Sequence, residues 1–482
     1  MLFNSLEYLF FLPTVFFLFW SLRRSFRGQN LFLLVASYVF YGWWDWRFLG
    51  LIALASATSY VSGLLIERYE AKRTRKLICG VNIAVSLGIL GTYKYFNFFA
   101  SNFALLLENF GFRPDWVTLD LVLPIGISFY TFQALGYTID VYRAKVAASR
   151  NIIDFFAFIS FFPQLVAGPI ERATNLLPQF TPDGKLRRFS YADGVDGLRQ
   201  MLWGFFKKMV VADNCSVTVD YIFANYQEVG GLNLVVGAVL FSVQMYCDFS
   251  GYSDIAIGTA RLFGFRLMQN FNFPYFSRSI AEFWSRWHIS LSSWFRDYVY
   301  IPLGGNRGGL AATVRNTVIV FLVSGFWHGA DWTFISWGAF NAMLFVPLLL
   351  MGTSRKYKRT TVAEGRFLPT LGEVALMGVT FVLVVMGRVL YRAESIPAAG
   401  EIFVKMFTDF SLTYSPYEAV CLVYIVVMFA VEWSHRTSRY GFELKGHGLM
   451  ARPLWRWTVY VALTMMILLC AGRQEAFIYF QF

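Results

Sequence analysis

The chain has 482 residues, 57% of them hydrophobic and 15% charged, against roughly 25% charged in an ordinary soluble domain, so it has too little polar surface for a water-soluble enzyme and is too apolar to stay disordered. Lys and Arg total 42 and Asp and Glu 30, a net charge of +12, but the basic residues cluster between apolar runs and do not make a nucleic-acid face. The five cysteines, Cys79, Cys215, Cys247, Cys421 and Cys470, are scattered without a C-x-x-C pair, which excludes a disulfide scaffold and a cysteine zinc site.

In chain order, apolar runs of the ~20 residues needed to cross a bilayer fall near 5–22, 30–45, 47–66, 77–99 and 119–140. More follow near 196–224, 231–262, 312–351 (room for two), 370–391, 416–433 and 454–472. The expectation is about eleven crossings. Leu9 to Trp20 has no basic stretch before it and no small-residue cleavage site after it, so it reads as a retained helix rather than a signal peptide. Arg23, Arg24 and Arg27 follow the first run, and Arg68, Lys72, Arg73, Arg75 and Lys76 follow the third, whereas Asn102 to Asp120 is acid-leaning. The positive-inside rule then puts the basic loops in the cytoplasm and the N-terminus outside. With no internal repeat and no long hydrophilic stretch, the predicted architecture is a single all-α integral membrane domain over 1–482.

Two segments fit poorly as simple crossings. Ile152 to Ile170 contains Pro163, Gly168 and Pro169 and has basic flanks on both sides, Arg143, Lys145 and Arg150 before it and Arg172, Lys185, Arg187 and Arg188 after it. If both ends are cytoplasmic, the segment dips in and returns. Phe276 to Tyr300 repeats Trp284, Trp287, His288, Leu291, Trp294, Phe295 and Tyr298 at helical spacing, with Ser285, Arg286, Ser292, Ser293, Arg296 and Asp297 on other faces, and reads as interfacial or re-entrant. Irregular backbone at membrane depth is tolerated where protein buries it or where it lines a wet cavity, so a funnel into the bilayer is expected.

The chain has four histidines. His435 and His447 sit in the polar, basic stretch from Glu432 to Arg456 and read as solvated or headgroup-facing. His328 follows the apolar run Val318 to Val323, between Trp327 and Gly329 and close to Asp331. An ionisable group there either ties helices together or marks function, and the functional reading is a general base with Gly325, Gly329 and Ala330 leaving room beside it. His288 lies in the aromatic stretch Phe283 to Ser290, where an anchoring helix with an incidental histidine is the rival. Arg296 and Asp297 follow it, as does the basic Gly-rich loop Gly304 to Gly309, which contains Asn306 and is by itself unspecific for phosphate. Gln244, Asp248, Ser250, Ser253 and Asp254 form a third polar set in an apolar span, to be read as interhelical hydrogen bonding or as a pathway lining that orients a histidine.

Leu123 to Gln133, Gln164 to Glu171, Asp248 to Asp254, Phe283 to Ser290 with Arg296-Asp297-Tyr298, and Phe326 to Gly329 together resemble, in order and spacing, the membrane-bound O-acyltransferase family. The resemblance covers nearly the whole chain, is strongest over 120–340, and departs from the family's motif at neither histidine. Tyr300 to Arg307 is similar to the bacterial polysaccharide-modifying branch, with its alginate O-acetylases, peptidoglycan O-acetyltransferases and teichoic-acid D-alanine exporters.

The resemblance implies a multi-pass helical fold with cytoplasmic and extracytoplasmic funnels meeting at a buried histidine. It implies His328 as base and His288 as second essential histidine, with Gln244, Asp248, Ser250, Ser253, Asp254, Trp284, Arg286, Trp287, Arg296, Asp297, Asn306, Trp327 and Asp331 as candidate tunnel-lining residues and no metal. It further implies an acyl thioester donor (acetyl-coenzyme A or an acyl carrier) and no permanently bound cofactor. A polysaccharide acceptor, an extracytoplasmic esterase-like partner of the SGNH type and a place in the bacterial inner membrane complete the expectation, with no nucleic acid involved. The absence of a G-x-x-x-x-G-K-[ST] loop and of a complete G-x-S-x-G elbow agrees with chemistry that needs neither ATP nor a hydrolase serine. A lipid- or protein-acylating member of the family and a membrane transporter are the competing readings.

Overall fold

The computed structural model describes residues 1–112, 118–119, 121–166, 168–181, 186–358, 360–413, 416–444, 449–471, 475 and 477–478. His447, Lys185 and Asp120 lie outside the described residues. Every regular element among the described residues is helical, and the chain is a multi-pass helical membrane protein. Among the described residues seven helices are long and apolar enough to cross a membrane: Trp46–Arg68, Lys72–Glu108, Gly231–Leu262, Gly309–His328, Trp332–Leu350, Leu371–Arg392 and Pro453–Cys470. Leu6–Ser21, Ile152–Leu165 and Cys421–Ser434 are shorter apolar helices. Leu454, Trp457, Leu468 and Leu469 of the last span are exposed, as apolar side chains facing lipid are.

Two compact units divide the chain, the first comprising Met1–Ser190, Ala260–Met268 and Gly329–Asp331. It begins with α1 (Leu6–Ser21), α2 (Phe26–Gly42) and α3 (Leu49–Arg68). Ser5 and Ser25 cap the first two by accepting from the amides of Tyr8 and Gly28, satisfying donors that a helix N-terminus otherwise leaves open. The expected run at 77–99 belongs to one long helical stretch, α4 (Lys72–Leu90) continuing through a π-turn at Gly91–Tyr95 into α5 (Phe96–Glu108). The run expected at 119–140 becomes helical only at α6 (Ile127–Tyr142), because Gly126 ahead of it takes a left-handed backbone where a side chain would collide with the Leu165 carbonyl. The segment expected to dip in and return is α7 (Ile152–Ser160), a break at Phe161 and a single turn at Phe162–Leu165. Gln164 Nε2 donates to Gln133 Oε1 (2.8 Å), so these two motif glutamines act as a buried clamp between the turn and α6.

The second unit comprises Tyr191–Thr259, Gln269–His328 and Trp332–Phe482. The run at 196–224 is α8 (Tyr191–Phe205), a π-turn at Phe206–Ala212 and α9 (Asp213–Ala224). The long α10 (Gly231–Leu262) follows, then two short helices, α11 (Ile280–Arg286) and α12 (Ile289–Phe295). The 312–351 stretch is two helices, α13 (Gly309–His328) and α14 (Trp332–Leu350). After them come α15 (Leu371–Arg392), α16 (Ile396–Thr408), α17 (Pro416–Ser434) and α18 (Pro453–Cys470). A Thr370–Glu373 capping box starts α15. Helices α13 and α14 approach at glycines: a Cβ on Gly325 would strike the Phe334 carbonyl, and one on Gly338 the Phe321 carbonyl. In lipid, where burying apolar surface gives helices no reason to pair, such close backbone contact is a main source of association.

Candidate active site

The stretch 276–300, read as interfacial or re-entrant from its helical spacing, contains two short helices with a break between them. Ser279 caps α11 by accepting from the Glu282 amide, Trp287 is extended, and His288 enters α12 with φ 45° and ψ 54°. A left-handed backbone is strained for a residue with a bulky side chain, and such strain concentrates where surrounding structure enforces it for function. The enforcing contacts are present. The Ile289 amide donates to the Asn270 carbonyl (2.9 Å), and the Asn270 side-chain oxygen accepts from Ser290 Oγ (2.9 Å) and lies 3.0 Å from His288 Nδ1. Asn270 Nδ2 in turn donates to Ser253 Oγ (3.0 Å). Because Oδ1 also faces the Ser290 amide, a donor only, it is the acceptor end of the amide. The imidazole proton therefore sits on Nδ1, and Nε2 carries the lone pair.

His288 is 1% exposed. Its ring meets Phe249 edge-on at 4.6 Å, with Trp327 at 6.3 Å and Phe271 at 6.4 Å. Burial among these rings pushes its pKa far below the ordinary histidine value, because the low-dielectric surroundings disfavour the imidazolium.

His328 ends α13 and is 4% exposed. Its imidazole is enclosed by Trp327 at 4.9 Å, Trp337 at 5.1 Å and Tyr391 at 5.8 Å, each ring steeply inclined to it. The glycine crossing of α13 with α14 brings Trp337 up to it. Trp284 packs on Trp337 (5.7 Å) and on Phe321 (5.5 Å). Trp327 contacts both imidazoles, so the two histidines, 40 positions apart in sequence, belong to one aromatic cluster within the second unit. Five of the sequence candidates meet here: His288, His328, Trp284, Trp287 and Trp327.

The third polar set divides. Ser253 serves the histidine through Asn270. The carboxylates pair with lysines instead of orienting an imidazole: Asp248 with Lys208 (2.8 Å), which also meets Asp213 (2.7 Å), and Asp254 with Lys207 (2.7 Å). Lys207 also donates to Ser250 Oγ (2.8 Å). The reason is electrostatic, since a carboxylate buried in a helical bundle needs a counter-charge and two adjacent lysines supply it. Ser250, Ser253, Asp254, Lys207, Asn270 and Glu432 surround a polar cavity of about 20 Å³, room for about one water, and Asn270 links its lining to His288. Gln244 is partly buried on α10.

The remaining candidates lie elsewhere. Arg286 is paired with the fully buried Glu282 (3.0 Å), which also holds Arg278 (3.1 Å). The exposed Arg296 bonds its half-buried neighbour Asp297 (2.8 Å) in the π-turn that continues α12, Asn306 is exposed in the glycine loop, and Asp331 is exposed. His435, whose Nδ1 lies 2.8 Å from Ser434 Oγ, is outside the cluster. Among the described residues no three His, Cys, Asp or Glu side chains gather as metal ligands.

Sequence reasoning did not single out Asn270, Tyr391 or Arg388. Arg388 is 2% exposed and its guanidinium lies over the Trp287 ring at 4.4 Å. An arginine inside the apolar run 370–391 is a signal that could have found it. Asn270 and Tyr391 carry no such signal, being an ordinary loop amide and one tyrosine among 26.

A family model for membrane-bound O-acyltransferases matches residues 143–375, which include both histidines. The chain is 41% identical over 413 residues to the probable alginate O-acetylase AlgI of Pseudomonas putida, covering 85% of this chain and 80% of the relative. To the protein of the same name from Pseudomonas aeruginosa it is 43% identical, with 85% and 75% covered. It is 33% identical to the peptidoglycan O-acetyltransferase of Helicobacter pylori, with 84% and 80% covered. With a multi-pass helical fold, two buried histidines in one aromatic cluster and similarity over most of its length, the chain belongs to the membrane-bound O-acyltransferase family and is an acyltransferase.

Proposed function

We propose that the protein is a single-domain transmembrane O-acyltransferase that moves an acetyl group from a cytoplasmic thioester, acetyl-coenzyme A or an acyl carrier, to a hydroxyl on an extracytoplasmic polysaccharide or on an esterase-like partner that passes it to the glycan. The observation that carries this reading is the pair of buried imidazoles sharing Trp327. A neutral imidazole in a dry site accepts a proton from a hydroxyl as that hydroxyl attacks, and aromatic walls exclude the water that would otherwise hydrolyse the thioester. His328 is the base; its ring is gripped by Trp327, Trp337 and Tyr391, which fixes its orientation. His288 positions donor or acceptor through Nε2, with Asn270 holding the tautomer. The donor is a substrate, and no resident cofactor takes part. The alginate and peptidoglycan acetylases among the relatives support a cell-envelope polysaccharide as acceptor.

In this arrangement the donor enters by an inner funnel and the acceptor by an outer one, with the protein in the bacterial inner membrane, the loop around Lys72 and Arg73 in the cytoplasm and the N-terminus outside. The test is transfer of radiolabel from acetyl-coenzyme A to extracytoplasmic glycan in membranes carrying the wild type or His328→Ala. Label with the wild type alone supports acyl transfer through His328. Equal label with both removes His328 from the mechanism, and no label with either overturns the donor assignment and favours transport.

A further inference from the structure

Among the described residues, the buried cations of the second unit other than Arg388 sit beside carboxylates. Lys207 and Lys208 have carboxylates within 2.8 Å, and Arg278 and Arg286 share Glu282. Arg388 has no ion pair among the described residues. Its hydrogen-bond contact is the Tyr275 hydroxyl, Trp287 lies beneath its plane, and its buried Nε and Nη2 have no partner among the described residues. Leaving guanidinium donors unsatisfied at 2% exposure is costly, and stacking on an indole offsets only part of that. A residue held this way is poised for an anionic oxygen that arrives with the reaction.

Its location says which oxygen. Arg388 and Tyr391 are three residues apart on α15 and so share a helix face. Gly387 lets this helix approach Trp337 and Phe340 closely. Tyr391 then packs on His328 and on Trp337, while Arg388 packs on Trp287, the residue before His288. One face of α15 thus packs Tyr391 on one imidazole and Arg388 on the residue next to the other, within the same aromatic cluster. Both residues lie beyond position 375, where the family-model match ends.

We propose that Arg388 is a further catalytic residue, whose Nε–H and Nη2–H hold the acyl carbonyl oxygen as it becomes an oxyanion. This rests on the acyl-transfer reading above. The acceptor oxygen bonds to the thioester carbonyl carbon, the carbonyl π pair moves onto its oxygen beside Arg388, and His328 takes the hydroxyl proton. When the pair returns, the carbon–sulfur bond breaks and the thiolate takes the proton from His328, giving an ester and a free thiol. Donors placed where charge develops act most strongly in a dry site. The Trp287 stack keeps the cation in place before that charge appears.

The experiment compares full-length wild type, Arg388→Met, which keeps an apolar body over Trp287, and Arg388→Lys, which keeps the charge without the planar fork. Turnover is measured with labelled acetyl-coenzyme A, and donor binding with its non-reactive thioether analogue. The expected result is normal folded yield and analogue binding, with kcat down by roughly 10²- to 10³-fold in Arg388→Met, the loss typical of an oxyanion donor, and a partial recovery in Arg388→Lys. Turnover within a few-fold of wild type overturns the proposal. So does weakened analogue binding at unchanged kcat, which would mark a standing anion of the donor, and so does loss of folded protein in both variants, which would mark a packing role. Absence of transfer by the wild type would instead overturn the acyl-transfer reading on which the proposal rests.

Discussion

Two buried polar clusters in the second unit solve the same problem in opposite ways. Around Lys207 and Lys208, full charges are matched by Asp213, Asp248 and Asp254 at 2.7 to 2.8 Å, on backbone that stays helical through a π-turn. Around His288 and His328 aromatic rings enclose the imidazoles, and the first of them sits on a strained backbone and is kept neutral by burial. The comparison teaches how to separate structure from chemistry among buried ionisable groups. A cluster whose charges close on one another has little left to offer a substrate, while groups kept neutral at the expense of backbone strain are poised to change protonation during a reaction.

The difference can be broken most directly at the extremes. His328→Ala is expected to lower acyl transfer by at least the 10²- to 10⁴-fold typical of a general base, with folded yield by size-exclusion profile unchanged; loss of the folded peak would place His328 with the lysine cluster. Lys208→Met is the converse. Removing one member of a buried ion cluster strands Asp213 and Asp248 and is expected to destabilise the protein by roughly 3–5 kcal/mol. A thermal-melt midpoint equal to wild type would show that those carboxylates do not depend on the lysine.

Glu171 sharpens the comparison from the first unit, as a buried carboxylate outside the spans whose hydrogen bonds come from neutral donors, the Asn175 side chain and the Met268 amide. Burial raises its pKa from 4.5 to about 7. The folded state then binds more protons than the unfolded state between those values, so stability falls as pH rises from about 4.5 to about 7 and levels off above. Glu171→Gln should remove that slope, seen as melting midpoints that no longer decline across the window; an unchanged slope would assign it to another group. The smallest effect is expected at Asn270→Ala. Losing the acceptor for His288 Nδ1 is worth about one hydrogen bond, ~1 kcal/mol, or roughly a fivefold drop in turnover, and it should be nearly absent in a His288→Ala background if Asn270 acts through that imidazole.

Much of this was legible before any fold was known. The all-α membrane class followed from a chain with too few charges to be soluble, and the cores of the histidine motifs, Trp284 to His288 and Trp327-His328, do converge. What the sequence misplaced has a common cause. Periodicity put Arg296 and Asp297 on one helical segment with His288, and the helix that His288 caps does run on through a π-turn into both, but Arg296 is exposed and bonds its neighbour Asp297. Helical spacing gathered Asp248 and Asp254 as candidates to orient a histidine, yet their partners come from the π-turn after α8, 40 or more positions upstream. Spacing along one helix reports neighbours on that helix and nothing of what faces them.

By itself, then, the sequence determined the solvent, the helical class, the chemistry-bearing residue types and the two histidines, because composition, apolar run length and local motifs are properties of contiguous chain. Tertiary structure alone decided that Trp327 joins the histidines, that Asn270 sets the His288 tautomer, that lysines neutralise the α10 carboxylates, and that α15 brings Tyr391 and Arg388 to the cluster. Each is a contact between segments distant in sequence, settled by glycine-mediated helix approach and by the need to satisfy buried polar groups, and neither of those is written in any single stretch of residues.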